Sequence, residues 1–367
     1  MKKIIRLFCF LIVLILLPTI VAAEFWGTPI TLSFTSKPVL VHHIYKLPNG
    51  SFLLDYDTPD TSEFWQSLGR NDITHHITEV FAPSGESLWH FQDGGDIAPE
   101  DAENYLYQYA IYQDRIIYEH YDSLSMENYH TIVWNLNGDF IENPMNAIHQ
   151  DEENARYLYS MYPYILKIWK TGDVLNHQAV LCNVTKNTID KLPYYGGSRT
   201  TFVEKNYFYM LFAQNSEVKL LSCNSSEKVA NIYTTSLETE SGLLLTDRCS
   251  IYFLKSIWNE NGYTYTLLQA PIPDNPDYTL QFVESYSFQV TSEDRIDSIF
   301  KSADSIFFLI NHNNEYSYLA QFVDNQLRQI HKWSGEAQLI DNSDGDIYIF
   351  VSDIPVNNCY ITSIPAT

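Results

Sequence analysis

The chain is short of basic residues, glycine and proline, and each shortage excludes a class of protein. Its 367 residues include 22 basic and 45 acidic side chains, so the formal net charge is -23. This charge would repel a nucleic acid, whose recognition needs a basic surface. With 14 glycines and 15 prolines, the chain is neither collagen-like nor linker-like. The abundance of aromatic residues (27 Tyr, 20 Phe and 7 Trp) excludes a disordered chain and indicates a globular protein.

Motifs of several enzyme classes are missing as well. The sequence contains no His-Glu-x-x-His, no Gly-x-Ser-x-Gly and no phosphate-binding loop. It also contains no Cys-x-x-Cys pair, which disfavours a zinc knuckle or a thioredoxin-type redox site. These absences favour a non-catalytic protein and leave catalysis open.

The N-terminus has the three parts of a secretory signal peptide. Basic residues at positions 2, 3 and 6 precede an apolar run over 7–17, and small residues lead up to Ala23. The run is shorter than the roughly 20 apolar residues of a spanning helix, so cleavage after Ala23 is predicted. We therefore expect a signal peptide over 1–23 and a single exported domain over 24–367. The expected location is periplasmic or extracellular, with no membrane span left after cleavage.

Four cysteines follow the predicted cleavage point. An even number in an exported protein permits disulfide bonds, but their spacing does not form a framework. Each lies in or beside an apolar, strand-like run, and buried free thiols are therefore the preferred prediction. The residues are Cys182, Cys223, Cys249 and Cys359.

A repeated unit runs through the rest of the chain. In each copy a short polar turn precedes a run of β-branched and aromatic residues, which is typical of a strand. The seven runs begin at residues 52, 116, 165, 207, 251, 306 and 347. A further strand, a polar turn and a short last strand then follow, as over 77–90. Asn and Asp supply most of the turns, which explains how so few glycines suffice.

Four strands in roughly 40–50 residues, repeated along the chain, are typical of the blades of a β-propeller. The apolar runs fit, because stacked blades bury both faces of their central strands. A β-sandwich is the alternative, and seven matched repeats argue against it. We predict an all-β, seven-bladed propeller, with six or eight blades as alternatives. The last repeat lacks a fourth strand, so the segment 30–34 is expected to pair near Tyr360 and Ile361 and close the ring.

These repeats resemble the β-propeller superfamily as it occurs in exported proteins. Residues 81–89, F-A-P-S-G-E-S-L-W, are similar to the Gly-x-x-x-Trp hairpin of bacterial PQQ-like propeller repeats, and this segment occurs once. The resemblance implies a propeller over essentially 24–367. It implies no particular activity.

Two segments could hold metal ions. Residues 341–346 resemble the calcium loop of integrin-type propellers, but Ile340 and Tyr348 stand where outer carboxylates belong. Calcium needs six to eight oxygen ligands, so an ordinary polar hairpin is favoured, no cofactor is predicted, and calcium is the alternative.

Histidines concentrate in the first repeat, at positions 42, 43, 75, 76 and 90. Neighbouring strand residues point to opposite faces, so each His-His pair should offer only one ligand to a transition metal. A site would combine His42 or His43 with His75 or His76. Packed or surface histidines without a metal are the favoured interpretation.

Asp55 and Asp57 are the candidate catalytic residues. They lie two apart at the end of the first apolar run, so they share a strand face about 7 Å apart. That separation suits the carboxylates of an inverting glycosidase, while capping of a strand end is the alternative.

The candidate binding residues lie in long loops of the first three repeats, over 58–72, 92–104 and 142–154. Long loops on a rigid scaffold commonly carry binding sites. An acidic rim with an aromatic anchor suits a basic or cation-bearing partner, and a merely solubilising surface is the alternative. The residues are Trp65, Asp93, Asp96, Glu100, Asp101, Glu103, Glu152 and Glu153.

Together these features favour an exported, monomeric, non-catalytic scaffold that binds a protein or glycan through the acidic loops, and no nucleic acid. The alternative is a carbohydrate-active hydrolase or lyase that uses carboxylates near Asp55 and Asp57.

Overall fold

The strands in the described part of the chain form seven antiparallel sheets that follow one another along the sequence. The structure, a computed structural model, describes residues 27–70, 72–97, 105–112, 114–122, 128–141, 155–161, 164–170, 177–183, 188–192, 200–204, 207–214, 216–224, 229–239, 242–246, 249–260, 262–272, 277–302, 305–313, 315–323, 326–340, 347–353 and 358–364. The predicted signal peptide and the calcium-like loop at 341–346 lie outside these residues. No helix among the described residues is both long and apolar enough to cross a membrane.

The strands are numbered along the chain, and each sheet is named by its order. A short strand, β1 (Ile30–Thr31), comes first. Sheet 1 contains β2 (Leu40–Lys46), β3 (Phe52–Pro59), β4 (Thr74–Phe81) and β5 (Ser87–Ile97). Sheet 2 contains β6 (Tyr105–Tyr112), β7 (Arg115–Asp122) and β8 (Asn128–Asn135). Sheet 3 contains β9 (Ala155–Met161), β10 (Tyr164–Lys170), β11 (His177–Asn183) and β12 (Thr188–Leu192).

The second half of the chain continues the same pattern. Sheet 4 contains β13 (Thr200–Glu204), β14 (Tyr207–Gln214), β15 (Glu217–Asn224) and β16 (Val229–Thr234). Sheet 5 contains β17 (Leu243–Thr246), β18 (Ser250–Asn259), β19 (Gly262–Pro271) and β20 (Val283–Val290). Sheet 6 contains β21 (Asp294–Ser302), β22 (Ser305–His312), β23 (Tyr316–Val323) and β24 (Gln326–Ser334). Sheet 7 contains β25 (Glu336–Ile340), β26 (Ile347–Asp353) and β27 (Asn358–Ile364). One helix, α1 (Glu63–Ser67), lies between β3 and β4.

Each of the seven apolar runs falls in the second strand of its sheet. In β3, Leu53 and Leu54 point to opposite faces, and both are fully buried. Leu53 belongs to the cluster between sheets 1 and 2, and Leu54 to the cluster between sheets 7 and 1. Similar apolar clusters join sheets 4 and 5, 5 and 6, and 6 and 7. The described core thus consists of layers between consecutive sheets.

The N-terminal segment bonds to two sheets at once. Strand β1 pairs antiparallel with β27, with Ile30 opposite Ile361. The backbone N–H of Ser33 then donates to the carbonyl of Gly85 in the β4–β5 turn at 2.9 Å. Gly85 has a φ of +88°, and a Cβ there would collide with the Thr31 carbonyl, so this contact requires glycine. The segment therefore links sheet 7 to sheet 1.

The cysteines follow the sequence prediction only in part. Cys359 is a buried free thiol. Cys249 is exposed, because it lies just before β18 instead of within a strand. The prediction of a buried thiol is therefore wrong for Cys249. The side chains of Cys182 and Cys223 lie outside the described part of the chain.

Candidate functional site

Histidine and aspartate side chains gather where sheet 1 faces sheet 2. The strand pairing places His43 opposite Asp55, and Asp57 opposite His76. The register of β2 against β3 shifts between Val41 and His43, which marks a β-bulge. Bulges re-aim side chains, and here both His42 and His43 reach the aspartates. One histidine of each adjacent pair, His42 and His76, contacts Asp57, as the alternation of strand faces predicts for a common site.

Asp55 is fully buried and holds His43 at two points. Its Oδ1 accepts the backbone N–H of His43 at 2.5 Å, and its Oδ2 lies 3.1 Å from His43 Nδ1. The His43 side chain is 46 % exposed. One ring nitrogen of His43 is thus held by a buried carboxylate, while much of its imidazole faces outward.

Asp57 lies between two imidazoles. Its Oδ2 is 3.0 Å from His42 Nε2, and its Oδ1 is 3.3 Å from His76 Nδ1. His76 Nε2 is 3.6 Å from Asp55 Oδ2, so this ring contacts both carboxylates. His76 is almost completely buried, whereas the His42 side chain is 28 % exposed. The carboxylates therefore lie behind a partly open imidazole edge.

The buried charges stabilise one another. Burial opposes ionisation of Asp57, but contacts with His42 and His76 lower its pKa to about 2. Burial likewise opposes the charged form of Asp55, but the charge and hydrogen bond of His43, together with the nearby His76 and His42, outweigh it and lower the pKa. The Asp55 charge raises the pKa of His43. For His42, burial works against the proton, yet contact with Asp57 raises the pKa. Perturbed groups concentrated in this way are typical of functional sites.

Sheet 2 contributes tyrosines to the same cluster. The ring of Tyr107 stacks on His76 with centroids 3.4 Å apart and planes within 4°. The Tyr109 hydroxyl lies 2.6 Å from Thr78 Oγ1 and 3.4 Å from His76 Nε2. Burial raises the pKa of Tyr109 well above its ordinary value, so its hydroxyl keeps its proton. These contacts fix the orientation of the His76 ring.

A second His-Asp pair bridges the two sheets nearby. Asp93, in β5, lies 2.8 Å from His120 Nδ1 in β7, and it accepts a hydrogen bond from the Tyr118 hydroxyl. The Tyr107 ring lies 4.8 Å from the His120 ring. This second pair therefore adjoins the first cluster through Tyr107.

The loop between β3 and β4 begins beside the cluster. Asp60 Oδ2 lies 3.4 Å from His75 Nε2, and the Asp60 N–H donates to the Ile73 carbonyl at 2.8 Å. The loop then forms α1, where Phe64 is exposed and packs edge-on against the half-buried Trp65. Two aromatic rings thus lie on a loop that starts three residues after Asp57 and is held to the start of β4.

The predicted binding residues of the acidic rim do not all lie in loops. Trp65 lies in α1, as expected for a loop residue. Asp93 and Asp96 lie in β5 instead of a loop, and Asp93 is buried against His120 and Tyr118. The remaining rim residues lie outside the described part of the chain: Glu100, Asp101, Glu103, Glu152 and Glu153.

Sequence reasoning missed the contribution of sheet 2, namely Tyr107, Tyr109, Tyr118 and His120. A signal was present, because tyrosines alternate at positions 105, 107 and 109, which places them on one strand face. Nothing in that pattern indicated that this face would meet the histidines of sheet 1. His90 lies exposed on β5, and no described contact joins it to the cluster.

Comparison with known proteins identifies the fold and nothing finer. No protein-family model and no curated protein sequence matches the chain. Its structure is similar to that of the polysaccharide lyase Uly1, with a TM-score of 0.55, 8 % identity and 93 % of each chain covered. It is also similar to the β-propeller domain of the Trilobed protease from Pyrococcus furiosus, with a TM-score of 0.50 and 8 % identity, covering 90 % of this chain and 94 % of that one. The antiparallel sheets and these likenesses together show a β-propeller fold.

Proposed function

We propose that the seven sheets form a closed, seven-bladed ring and that the protein is an exported scaffold which binds a glycan. Ring closure is supported by the N-terminal segment, which bonds to β27 and to the β4–β5 turn. Leu32 adds a buried side chain to the cluster that sheets 7 and 1 share. The ring would then hold the His-Asp cluster at one end, on elements that cannot shift independently.

The choice of ligand rests on one observation. Partly exposed imidazoles on β2 occur together with a β3–β4 loop that contains two aromatic side chains. His42 and His43 are partly exposed and backed by buried carboxylates, so they offer polar groups of fixed orientation. Phe64 and Trp65 offer flat apolar faces on the loop that starts three residues after Asp57. Sugars present C–H faces to aromatic rings and hydroxyls to polar groups, and sites of this mixed kind fix ligand orientation.

Charge narrows the class of glycan. The chain has a formal net charge of -23, and the site itself contains Asp55 and Asp57. A polyanionic glycan would be repelled, whereas a neutral or amino-sugar glycan would not. That the fold carries a polysaccharide lyase in Uly1 supports glycans at the level of fold analogy alone.

The experiment is a binding screen of the purified chain against neutral and amino-sugar oligosaccharides. Binding to at least one is expected, and His43→Ala and Phe64→Ala should each weaken it about tenfold, as the loss of one good contact does. Trp258→Ala is the matched control. Trp258 is an exposed aromatic residue at the end of β18, next to the β18–β19 connection. That connection joins the second and third strands of sheet 5, as the 60–73 loop does in sheet 1. No binding to any oligosaccharide, or equal loss in the control, would reject the proposal.

A glycan-cleaving enzyme is the second candidate, favoured by the His43–Asp55 pair. A carboxylate that holds one imidazole nitrogen orients the other as a proton acceptor. Asp55 itself is fully buried, so a histidine base suits the geometry better than a direct attack by the two carboxylates. Incubating the bound oligosaccharide with the protein separates the candidates: new reducing or unsaturated ends would favour the enzyme, and intact sugar would favour the scaffold.

A further inference from the structure

Three side chains of sheet 1 form a set of potential metal ligands. His42, Asp57 and His76 each offer an atom, and these atoms lie within 4.8 Å of one another. The measured nitrogen-to-oxygen distances are 3.0 Å from His42 and 3.3 Å from His76. Tetrahedral zinc with bonds of about 2.0–2.1 Å keeps its ligand atoms about 3.3 Å apart. The two imidazoles therefore need only small movements around the carboxylate to share one ion.

The surroundings of the three side chains suit a metal site. The His76 ring is stacked on Tyr107, and its Nε2 faces Asp55 and the Tyr109 hydroxyl. Metal-binding histidines commonly place their second nitrogen against such a partner, which fixes the ring and increases its basicity. His42 Nε2 is buried and makes no well-aligned hydrogen bond within the described part of the chain, although Asp57 Oδ2 is 3.0 Å away. In the neutral imidazole, that nitrogen can exchange its contact with Asp57 for a bond to an ion.

Sheet 6 shows that the fold does not require histidines at these positions. Its first strand has the same kind of bulge, between Ile296 and Ser298. The corresponding residues there are Asp297, Asn311 and Ser317, which form a closed chain of hydrogen bonds: Asn311 donates to Asp297, and Ser317 donates to Asn311. In sheet 6 these positions thus hold one carboxylate, Asp297, which also pairs with Arg295 at 2.6 Å, and two short neutral side chains. The shared backbone geometry therefore does not explain why sheet 1 has two histidines around Asp57.

We propose that His42, Asp57 and His76 bind one divalent first-row transition-metal ion of the zinc class. Two imidazoles and one carboxylate suit zinc, copper, iron and nickel better than calcium or magnesium. Because the His42 side chain is 28 % exposed, solvent reaches the ion, and at least one coordination position stays open for water or a ligand. The proposal does not depend on glycan binding.

The test is a Co²⁺ titration of the untagged chain after treatment with chelator, followed by visible absorption, with Zn²⁺ added as competitor. One Co²⁺ per chain is expected, with d–d bands that Zn²⁺ abolishes. His42→Ala should weaken Co²⁺ binding about 100-fold or more, because His42 binds the ion directly. Loss of a residue that only orients a metal ligand costs about 10–100-fold in affinity. Zn²⁺ should also raise the melting temperature of the unmodified chain and not that of the His42→Ala variant.

His312→Ala is the matched control. His312 also contacts an aspartate, Asp294, at 3.0 Å, but it belongs to sheet 6 and faces no second histidine among the described residues. Its removal should leave Co²⁺ uptake unchanged. Because His76 is buried, its replacement would destabilise the fold, so Asp57→Asn serves as the second ligand variant. Absence of Co²⁺ bands, or uptake that is equal in the unmodified chain and in His42→Ala, would overturn the proposal.

Discussion

Sheets 1 and 6 have a β-bulge at corresponding positions, but the side chains around the two bulges differ in chemistry. In both, the first strand bulges by one residue against the second strand. Counted from the bulge, Asp55 in β3 corresponds to Leu309 in β22, because each lies opposite the residue that follows the bulge. Asp55 and Leu309 are both fully buried. One sheet therefore buries a carboxylate where the other buries an aliphatic side chain.

The difference shows which polar groups the fold needs. In sheet 6, the Ser317 hydroxyl accepts the Ala337 N–H at 2.8 Å, and its oxygen lies 3.0 Å from the Gly335 carbonyl. It thereby joins β23 to sheet 7, so its hydroxyl stabilises the packing of sheets. The carboxylate of Asp55 contacts His43 and His76 of its own sheet. A buried charge that only a few neighbouring imidazoles compensate is costly, which favours a role beyond stability.

The largest loss of stability is expected from deleting the N-terminal segment that joins sheet 1 to sheet 7. Deleting residues 24–36 removes the partner of β27 and the apolar side chains Ile30, Leu32 and Phe34. Each loses about 2 kcal/mol of burial, and each lost backbone bond costs about 1 kcal/mol more. The total is comparable with the 5–15 kcal/mol that stabilises a native protein. Thermal unfolding and light scattering should show an unstable, aggregating chain, because β27 becomes an open edge.

A synthetic peptide of residues 24–36, added in trans, is the control for this deletion. It should restore part of the stability if the segment acts by pairing. A truncated chain that stays soluble with an unchanged melting temperature would contradict ring closure by this segment.

Exchanging the corresponding residues of the two sheets should have unequal effects. Leu309→Asp places a carboxylate among apolar side chains of sheets 6 and 7, and we expect a loss of about 3–5 kcal/mol in the free energy of unfolding. Asp55→Leu should cost less than about 2 kcal/mol, because the exposed His43 can lose its proton once the carboxylate is gone. Urea denaturation of both variants measures the difference. Equal losses would mean that Asp55 is as structural as Leu309.

Removing the Ser317 hydroxyl should have a smaller effect than Leu309→Asp. Ser317→Ala leaves the Ala337 N–H and the Asn311 amide oxygen without this partner, at a cost of about 1–3 kcal/mol. Ser287→Ala is the control, since its hydroxyl is exposed and 3.3 Å from that of Thr266, and an exposed substitution changes stability by about 0.5 kcal/mol at most. If chemical denaturation gives the same value for both variants, the sheet 6 network does not stabilise the packing.

The smallest effect on stability is expected from the acidic rim. Neutralising Asp96, Glu100, Asp101 and Glu103 together should leave the melting temperature nearly unchanged. It should reduce both the affinity for a positively charged glucosamine oligosaccharide and the dependence of that affinity on salt, because rim charges act mainly on association. The control is the same binding titration on the Leu309→Asp variant, at a temperature where that variant is folded. Its acidic rim is unchanged, so it shows the salt dependence that an intact rim gives. An unchanged salt slope in the neutralised variant would leave the rim a solubilising surface.

The amino-acid sequence by itself determined the strands. Runs such as 52–54 and 306–310 are apolar at every position, and polar turns flank them, so their β structure follows from local chemistry. Burial on both faces is also implied by such runs, since a half-exposed strand would alternate. The common face of Asp55 and Asp57 follows from the two-residue period of a strand.

Only the tertiary structure decided how these residues come together. A one-residue bulge at His42 is invisible in the alternation of side chains, yet it brings two adjacent histidines to the same pair of aspartates. The stacking of Tyr107 on His76 depends on two sheets meeting face to face. Asp93 was predicted to lie on an exposed rim, but strand β5 continues through it and buries it against sheet 2. Local periodicity specifies which face a side chain occupies, whereas register shifts and the packing of sheets determine what that face meets.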